Sequence, residues 1–235
     1  MIGVILAAGK GSRISSKTEG IPKSFLEIND KKIIEHQIEA LRFVGVDEIK
    51  IVVGYKSQMF FDQFANEKGI TLIVNPFYEH CNVLGSLWMA KEHLNDDFLF
   101  MHADTIYDKE ILSLLIKRDE DVVFAVEFKD TVEEEMKVIV KDDFVSTVNK
   151  TMNCSDAQGE FTGVAKVSKR SAPAIVERMR DIIENRKELN SFFEVAVQEC
   201  IDQKDINVFA EDIGSFRSIE IDFPEDYQEA LSRFN

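Results

Sequence analysis

The sequence has few cysteines and no long apolar segment. Its three cysteines, Cys81, Cys154 and Cys200, are far apart and form no CxxC pair, so neither a disulfide framework nor a zinc site is indicated. No stretch approaches the roughly 18 apolar residues of a membrane-spanning helix. The N-terminus lacks the basic leader of a signal peptide. We therefore expect a cytoplasmic protein with no membrane partner.

The chain is also poor in basic residues. It has 28 lysines and arginines against 43 acidic residues, and its formal net charge of −15 argues against nucleic acid as a partner. The first 23 residues are an exception, since they carry Lys10, Arg13, Lys17 and Lys23 against the single acid Glu19. Such a basic island suits the binding of a small anion, although a solvated basic loop would have the same composition.

Strand and helix patterns alternate over the first half of the chain. Residues Gly3 to Ala8 are continuously apolar, which is typical of a buried parallel strand. An amphipathic helix is predicted from Lys32 to Val44 and a strand from Phe98 to Met101. A short strand is also predicted from Ser24 to Ile28, and further helices from Val83 to Leu94 and from near Pro173 to about Arg186. This alternation predicts an α/β fold with a Rossmann-like, mainly parallel central sheet flanked by helices. After about residue 130, a hairpin pattern and further short strands predict a small β-rich insertion.

Two polar features follow strands of this predicted sheet. A glycine-rich segment comes directly after the first strand, and Asp104 follows the strand that contains Phe98 to Met101. Ligands of open α/β sheets bind beyond the carboxyl ends of the strands. Both features are therefore expected at one edge of the sheet.

The glycine-rich segment has the chemistry of a phosphate-binding loop. It reads Leu6-Ala7-Ala8-Gly9-Lys10-Gly11-Ser12-Arg13 and is followed by Pro22-Lys23. Glycines let successive amides point at an anion, while Arg13 can add a bidentate contact and Lys23 a point charge. A Walker loop is excluded because Lys10 is followed by glycine, and a Rossmann fingerprint because position 14 is isoleucine. A tight turn after a buried strand is the structural alternative.

The LAAGxGxR pattern with a downstream Pro-Lys resembles the signature of the nucleotidyltransferases that activate sugar phosphates and related alcohol phosphates. In this resemblance Asp104 matches the family's metal aspartate. The segment Ile219 to Asp226 is similar to the family's C-terminal DxPED element, in which Asp222 would be the second metal ligand. The resemblance implies one domain over 1–235, with a nucleotide-binding half (1–128) and an acceptor-binding half with the C-terminal helix (129–235).

The resemblance also implies roles for individual residues. The nucleotide would be bound by Leu6, Ala7, Ala8, Gly9, Gly11, Ser12, Arg13, Lys23, Asn82, Gly85, Ser86 and Asp104. The phosphorylated acceptor would be bound by Lys150, Glu160, Gly163 and Glu135.

The implied reaction is an in-line attack of an acceptor phosphate oxygen on the α-phosphorus of a nucleoside triphosphate, with release of pyrophosphate. The attacking oxygen is already an anion, so the protein has to position and neutralise charge. Asp104 and Asp222 would hold Mg²⁺. Arg13 would bind the leaving pyrophosphate and Lys23 would stabilise the α-phosphate, which makes them the catalytic candidates.

Within the family, the segment from Asn82 to Leu87 and the Gly159–Gly163 strand resemble the corresponding segments of the cytidylyltransferases. This resemblance implies CTP and an acceptor such as phosphocholine or aminoethylphosphonate.

The acidic run Glu133 to Glu135 could attract a cationic head group, or could be a solvated loop. Aromatic residues could surround an ammonium group or could belong to the core. They are Phe77, Tyr78, Trp88, Phe161, Phe192 and Phe193. Phe223 departs from the threonine or serine that many members have before the C-terminal proline.

Three other functions are alternatives to a cytidylyltransferase. One is a hexose-1-phosphate uridylyl-, thymidylyl- or guanylyltransferase, and the second is a non-catalytic nucleotide-binding homologue. The third, a dinucleotide-binding oxidoreductase, is disfavoured by Arg13. A homodimer is a possible assembly.

Overall fold

The computed structural model describes residues 1–18 and 20–234, without the side chains of Ser12, Ser15 and Ser16. The strands are β1 (Ile2–Ala7), β2 (Glu27–Ile28), β3 (Lys31–Lys32), β4 (Ile49–Val53), β5 (Ile70–Val74), β6 (Phe98–His102), β7 (Thr105–Tyr107), β8 (Val122–Glu127), β9 (Lys137–Lys141), β10 (Phe144–Asn149), β11 (Gly159–Val167), β12 (Val208–Asp212) and β13 (Ser218–Glu220). The α-helices are α1 (Ser15–Thr18), α2 (Ile33–Phe43), α3 (Ser57–Phe64), α4 (Val83–Met89), α5 (Glu110–Ile116), α6 (Ala172–Arg180), α7 (Phe193–Asp202) and α8 (Pro224–Arg233).

A nine-stranded sheet runs through the described residues in the order β5-β4-β1-β6-β11-β8-β12-β10-β9. The first four strands of this order pair in parallel, and β12 pairs in parallel with β8. Strand β11 is antiparallel to both of its neighbours, β6 and β8. The hairpin of β9 and β10 extends the same sheet at its far edge. The predicted α/β fold with helices flanking a central sheet is thus confirmed. The sheet is mixed rather than mainly parallel, and the predicted β-rich insertion continues this same sheet with antiparallel strands.

Both faces of the sheet are buried. Successive residues of β1 alternate between two apolar clusters, with Val4 in one and Ile5 in the other. Helices α4, α6 and α7 contribute to the first cluster, and α2, α3 and α5 to the second. Because each face is covered, the parallel strands read as continuous apolar runs.

Three predicted elements end or fold differently. The strand expected from Ser24 to Ile28 is a 3₁₀ turn at Lys23–Phe25 followed by the short β2. The helix expected from Val83 to Leu94 ends at Met89. The helix expected to reach Arg186 ends at Arg180 and continues as a π-helical turn, Asp181–Asn185.

Within the described residues, no helix combines the length and the apolar character needed to cross a membrane.

Candidate active site

A cleft of about 340 Å³ lies at the carboxyl ends of β1 and β6. These strands are neighbours, with Leu6 paired to His102, so the glycine loop after β1 and Asp104 after β6 lie at one edge of the sheet, as the sequence predicts. Many of the residues singled out in the sequence line the cleft. They are Leu6, Ala7, Ala8, Gly9, Gly11, Arg13, Lys23, Asn82, Ser86, Asp104, Lys150 and Asp222.

The glycine loop approaches Lys23 closely. Gly11 has a φ of +64°, and a Cβ at this position would lie 3.1 Å from the Cβ of Lys23. Glycine therefore meets both a conformational and a steric requirement here. Ser12 forms part of the following 3₁₀ turn, and the prediction for its side chain lies outside the described part of the chain.

A small second sheet brings Asp222 to the glycine loop. Strand β13 pairs antiparallel with β7, so that Glu220 lies opposite Thr105. The backbone N–H of Ile221 then donates to the carbonyl of Asp104. Asp104 and Asp222 flank this pairing and are consequently brought close together, although about half of the chain separates them in sequence.

Lys23 lies between the two aspartates. Its Nζ is 2.7 Å from Oδ2 of Asp104 and 2.7 Å from Oδ1 of Asp222. The two carboxylate oxygens are therefore separated by no more than twice that distance. This spacing is compatible with two carboxylates that hold one cation.

The buried charges of this group influence each other. Burial would lower the pKa of Lys23, but the charges of Asp104 and Asp222 outweigh it and raise the pKa above the usual lysine value. Burial would raise the pKa of Asp104, yet the charges of Lys23 and His102 hold it below the usual range. Lys23 and Asp104 are thus charged at neutral pH, and the ammonium group acts as an internal counter-ion.

Arg13 binds the same carboxylate from the outer side. Its guanidinium is 2.6 Å from Oδ2 of Asp222 and 3.2 Å from Oε2 of Glu134. It also lies over the ring of Phe223, 5.2 Å from the centroid. Phe223, the departure noted in the sequence, therefore supports Arg13. Phe223 offers no side-chain cap to α8, and Asp226 in the first turn instead accepts the backbone N–H groups of Asp222 and Phe223.

Unpartnered ligand atoms face this centre. Among the described residues, Oδ1 of Asp104 and Nε2 of His102 are buried without a hydrogen-bond partner. His102, Asp104 and the exposed Glu220 form a group whose potential ligand atoms lie within 4.8 Å of one another. An orphaned carboxylate oxygen fits a hard cation such as Mg²⁺. Glu220 is a nearby carboxylate that the sequence analysis did not single out.

Two of the predicted acceptor residues lie in a neighbouring cleft. Glu135 and Glu160 line a cavity of about 380 Å³ that shares Glu134, Glu220 and Asp222 with the first cleft. There they bind Nζ of Lys129 at 2.9 and 2.8 Å.

Two predicted glycines line neither cleft. Gly85 packs behind the wall against Cys81, and Gly163 packs against the ring of His102. Their predicted direct contact with substrate therefore has no support in the geometry, because both face other protein groups.

Only some of the aromatic candidates lie at the main cleft. Tyr78, Phe161 and Phe192 line the main cleft. Trp88 and Phe193 are buried in the core, while Phe77 is 59% exposed and lies outside the cleft.

A carboxylate that sequence reasoning missed lies beside Phe192. Glu194 is 1% exposed and lines the cleft, and neither of its carboxylate oxygens has a hydrogen-bond partner among the described residues. Burial raises its pKa, while the charges of His102 and Lys150 oppose this. A glutamate within the apolar run from Phe192 to Val197 is the sequence signal that could have identified it.

Together, the fold and the cleft define a nucleotide-dependent transferase. The chain matches the family described as "MobA-like NTP transferase domain" over residues 3–182, and it belongs to that family. The nucleotidyltransferase assignment made from the sequence is therefore confirmed.

Relatives of similar length belong to the branch that the sequence favoured. The chain is 28% identical over 228 residues to a choline-phosphate cytidylyltransferase of Streptococcus pneumoniae, covering 97% of this chain and 96% of the relative. It is 25% identical over 255 residues to a CTP:phosphoglutamine cytidylyltransferase of Campylobacter jejuni, covering 99% and 100%. The solved structure of the S. pneumoniae CTP:phosphocholine cytidylyltransferase LicC has the same fold, with a TM-score of 0.84, 24% identity and coverage of 100% and 99%.

Proposed function

We propose that the protein is a Mg²⁺-dependent cytidylyltransferase that joins CTP to a small phosphorylated or phosphonate alcohol with a cationic group and releases pyrophosphate. The observation that carries this proposal is the contact of Lys23 with both Asp104 and Asp222 beside the glycine loop. It brings cations for a triphosphate and carboxylates for a metal into one cleft.

The charged residues have distinct roles in this reaction. Mg²⁺ held by Asp104 and Asp222 would neutralise phosphate oxygens and align the two anions. Arg13, partly exposed at the mouth of the cleft, binds the leaving pyrophosphate. Lys23 turns from the carboxylates to the α-phosphate, where its charge is needed in the transition state.

The wall opposite the loop supports a cationic acceptor. The ammonium of Lys150 lies 5.1 Å from the ring centroid of Phe192, so this ring already accommodates a cation. Glu194 faces the same part of the cleft with both carboxylate oxygens unpartnered among the described residues. When Lys150 moves to the acceptor phosphate, Phe192 and Glu194 can receive an acceptor ammonium group.

A pyrophosphate-release screen tests the proposal. It crosses CTP, UTP, dTTP and GTP with phosphocholine, aminoethylphosphonate and several hexose 1-phosphates. We expect the highest kcat/KM with CTP and a cationic acceptor. Preference for UTP or dTTP with a hexose phosphate by tenfold or more would replace the proposal with a sugar nucleotidyltransferase. Nucleotide binding without any turnover would identify a non-catalytic homologue.

Substitutions of the two aspartates test the metal site. Asp104→Ala and Asp222→Ala should each abolish turnover with little loss of fold, because each removes one carboxylate from the shared cation site. Asp47→Ala is the matched control, since Asp47 is exposed before β4 at the opposite edge of the sheet. Wild-type rates in either site variant would contradict the two-carboxylate arrangement.

A further inference from the structure

A fully buried amide lies behind the cleft wall formed by α4. Asn75 follows β5 and has no solvent exposure. Its Nδ2 group is 3.1 Å from Oγ of Ser86 and 3.2 Å from Sγ of Cys81. Both Ser86 and Cys81 line the cleft, but Asn75 does not. Asn75 can therefore act on a ligand only through these two neighbours.

The orientation of the Asn75 amide is fixed by the backbone. The N–H of Phe77 donates to Oδ1 of Asn75 at 2.9 Å. A backbone N–H can only donate, so Oδ1 must face Phe77 and the NH₂ group must face Ser86 and Cys81. Each of the two amide hydrogens then has an acceptor, which accounts for all the polar atoms of this buried side chain.

This orientation of the amide determines which hydrogen bond the Ser86 hydroxyl can make with a ligand. Its Oγ accepts the Asn75 hydrogen, and none of the described residues receives the hydroxyl proton. The side chain is only 8% exposed and lines the cleft. The Ser86 hydroxyl is therefore directed to donate to a ligand in the cleft.

We propose that Asn75 is a positioning residue that sets Ser86 as a hydrogen-bond donor to N3 of cytosine, and so makes the cleft prefer CTP to UTP. This inference rests on the proposed nucleotidyl transfer. Atom N3 of cytosine is an acceptor, whereas N3 of uracil carries a hydrogen. With uracil, the Ser86 hydroxyl would face the N3–H donor instead of an acceptor, and two donors that face each other are unfavourable in a buried site.

Two variants test the pair. Ser86→Ala removes the donor, and Asn75→Ala leaves the hydroxyl free to rotate and accept from uracil. We expect each to lower the ratio of kcat/KM for CTP to that for UTP by about tenfold, the usual effect of one hydrogen bond. Cys81→Ala removes the other amide contact without touching the hydroxyl and should keep the ratio. A ratio unchanged within twofold in Ser86→Ala would overturn the proposal.

A substrate analogue gives a test that does not depend on the folding of an Asn75 variant. In 3-deazacytidine triphosphate a C–H group replaces N3. The wild type should use it about tenfold less well than CTP, while Ser86→Ala should use the two nucleotides equally. Equal use by the wild type would overturn the inference.

The outcomes separate this inference from the proposed function. Absence of pyrophosphate release with every triphosphate would refute the transferase itself. Efficient transfer without a role of Ser86 in base choice would leave the transferase intact and refute only the Asn75–Ser86 pair. Thermal unfolding of each variant with and without CTP and Mg²⁺ shows whether it is folded and binds nucleotide.

Discussion

Lys23 occupies the space between the carboxylates of Asp104 and Asp222. Its ammonium contacts Asp104 and Asp222 at equal distances, and only 11% of its side chain is exposed. Without this charge the aspartates would face each other at close range, and their repulsion would destabilise the fold. A divalent cation could replace the missing ammonium.

We therefore predict that Lys23→Met lowers the melting temperature and that Mg²⁺ alone restores part of it. Mg²⁺ should raise the melting temperature of this variant more than that of the wild type, because binding to the native state stabilises it. Thermal unfolding with and without MgCl₂ measures the difference. Lys141→Met, which changes an exposed lysine at the hairpin end of β9, is the control. An equal Mg²⁺ effect in Lys23→Met and wild type would contradict the prediction.

Glu160 gives the protein a pH-dependent stability. Burial, together with the charge of Glu135, raises its pKa from 4.5 to about 7, although Lys129 opposes the shift. The folded protein thus holds this proton more tightly than the unfolded chain does. Its stabilising contribution is complete below about pH 4.5 and is lost as the pH rises towards 7.

Glu160→Gln should remove this dependence, since an amide does not titrate. The free energy of unfolding of the variant, relative to wild type, should therefore increase between pH 5 and pH 8 in urea titrations. Glu177→Gln serves as the control because Glu177 is an exposed partner of Arg180, and its relative stability should be flat. A flat difference for Glu160→Gln would show that Glu160 does not carry the raised pKa.

At the scale of single elements, β11 depends on one glycine. Gly163 has a φ of +76°, and a Cβ there would lie 2.6 Å from Nδ1 of His102. The pairing of β11 with β8 shifts between Phe161 and Ala165, on either side of this residue. The irregularity lets the strand pass the His102 ring.

Gly163→Ala should therefore destabilise the protein by roughly 1–3 kcal/mol, the usual cost of a residue held in a disfavoured backbone conformation. Urea unfolding measures the change. Gly9→Ala is the matched control, because its Cβ would meet nothing within 4 Å and no left-handed φ is required. Equal stability of the two variants would show that the His102 contact adapts without cost.

The sequence predicts regular elements well where periodicity decides them, as in α2 and β6. The sequence predicts local structure poorly where turn geometry determines it. Ser24 to Ile28 reads as a strand, but Pro22 leads into a 3₁₀ turn, and only Glu27 and Ile28 find a strand partner, in β3. Glu194 was missed for a related reason, since its apolar neighbours made the segment read as core. Whether a side chain reaches the cleft depends on tertiary packing, which a local sequence pattern does not reveal.

At the scale of the whole molecule, an apolar cluster joins the two ends of the chain. Ile14 and Leu26 from the N-terminal region pack with Ile221 and Ala230 from the C-terminal region. The same segments carry Arg13, Lys23 and Asp222. The candidate site therefore depends on packing between distant parts of the sequence.

Ala230→Asp should disturb this packing, because it would place an unpaired charge in a fully buried position. We expect a loss of unfolding free energy on the order of 3 kcal/mol and a lower rate of pyrophosphate release. Glu229→Ala is the neighbouring control, since it removes only an exposed pair with Arg233 and should change stability by less than about 0.5 kcal/mol. Full activity and stability of Ala230→Asp would exclude this dependence.

Long-range arrangement limits what the sequence can predict at this scale. The meeting of the glycine loop with Asp104 follows from the rule for carboxyl ends of parallel strands. The contact of Lys129 with Glu135 and Glu160 does not, because it requires the segment between β8 and β9 to fold against the start of β11. The second cleft could therefore not be anticipated as a separate space.

The pairing of β13 with β7 also determines the stage of synthesis at which the candidate site can be complete. Asp104 leaves the ribosome early, but Asp222 follows only after more than a hundred further residues. A nascent chain that stops before β13 retains the glycine loop yet leaves Lys23 with one carboxylate. If Asp104 and Asp222 act as proposed, translation products that end before β13 would have the glycine loop without the second aspartate and should be unable to consume nucleotide in the cell.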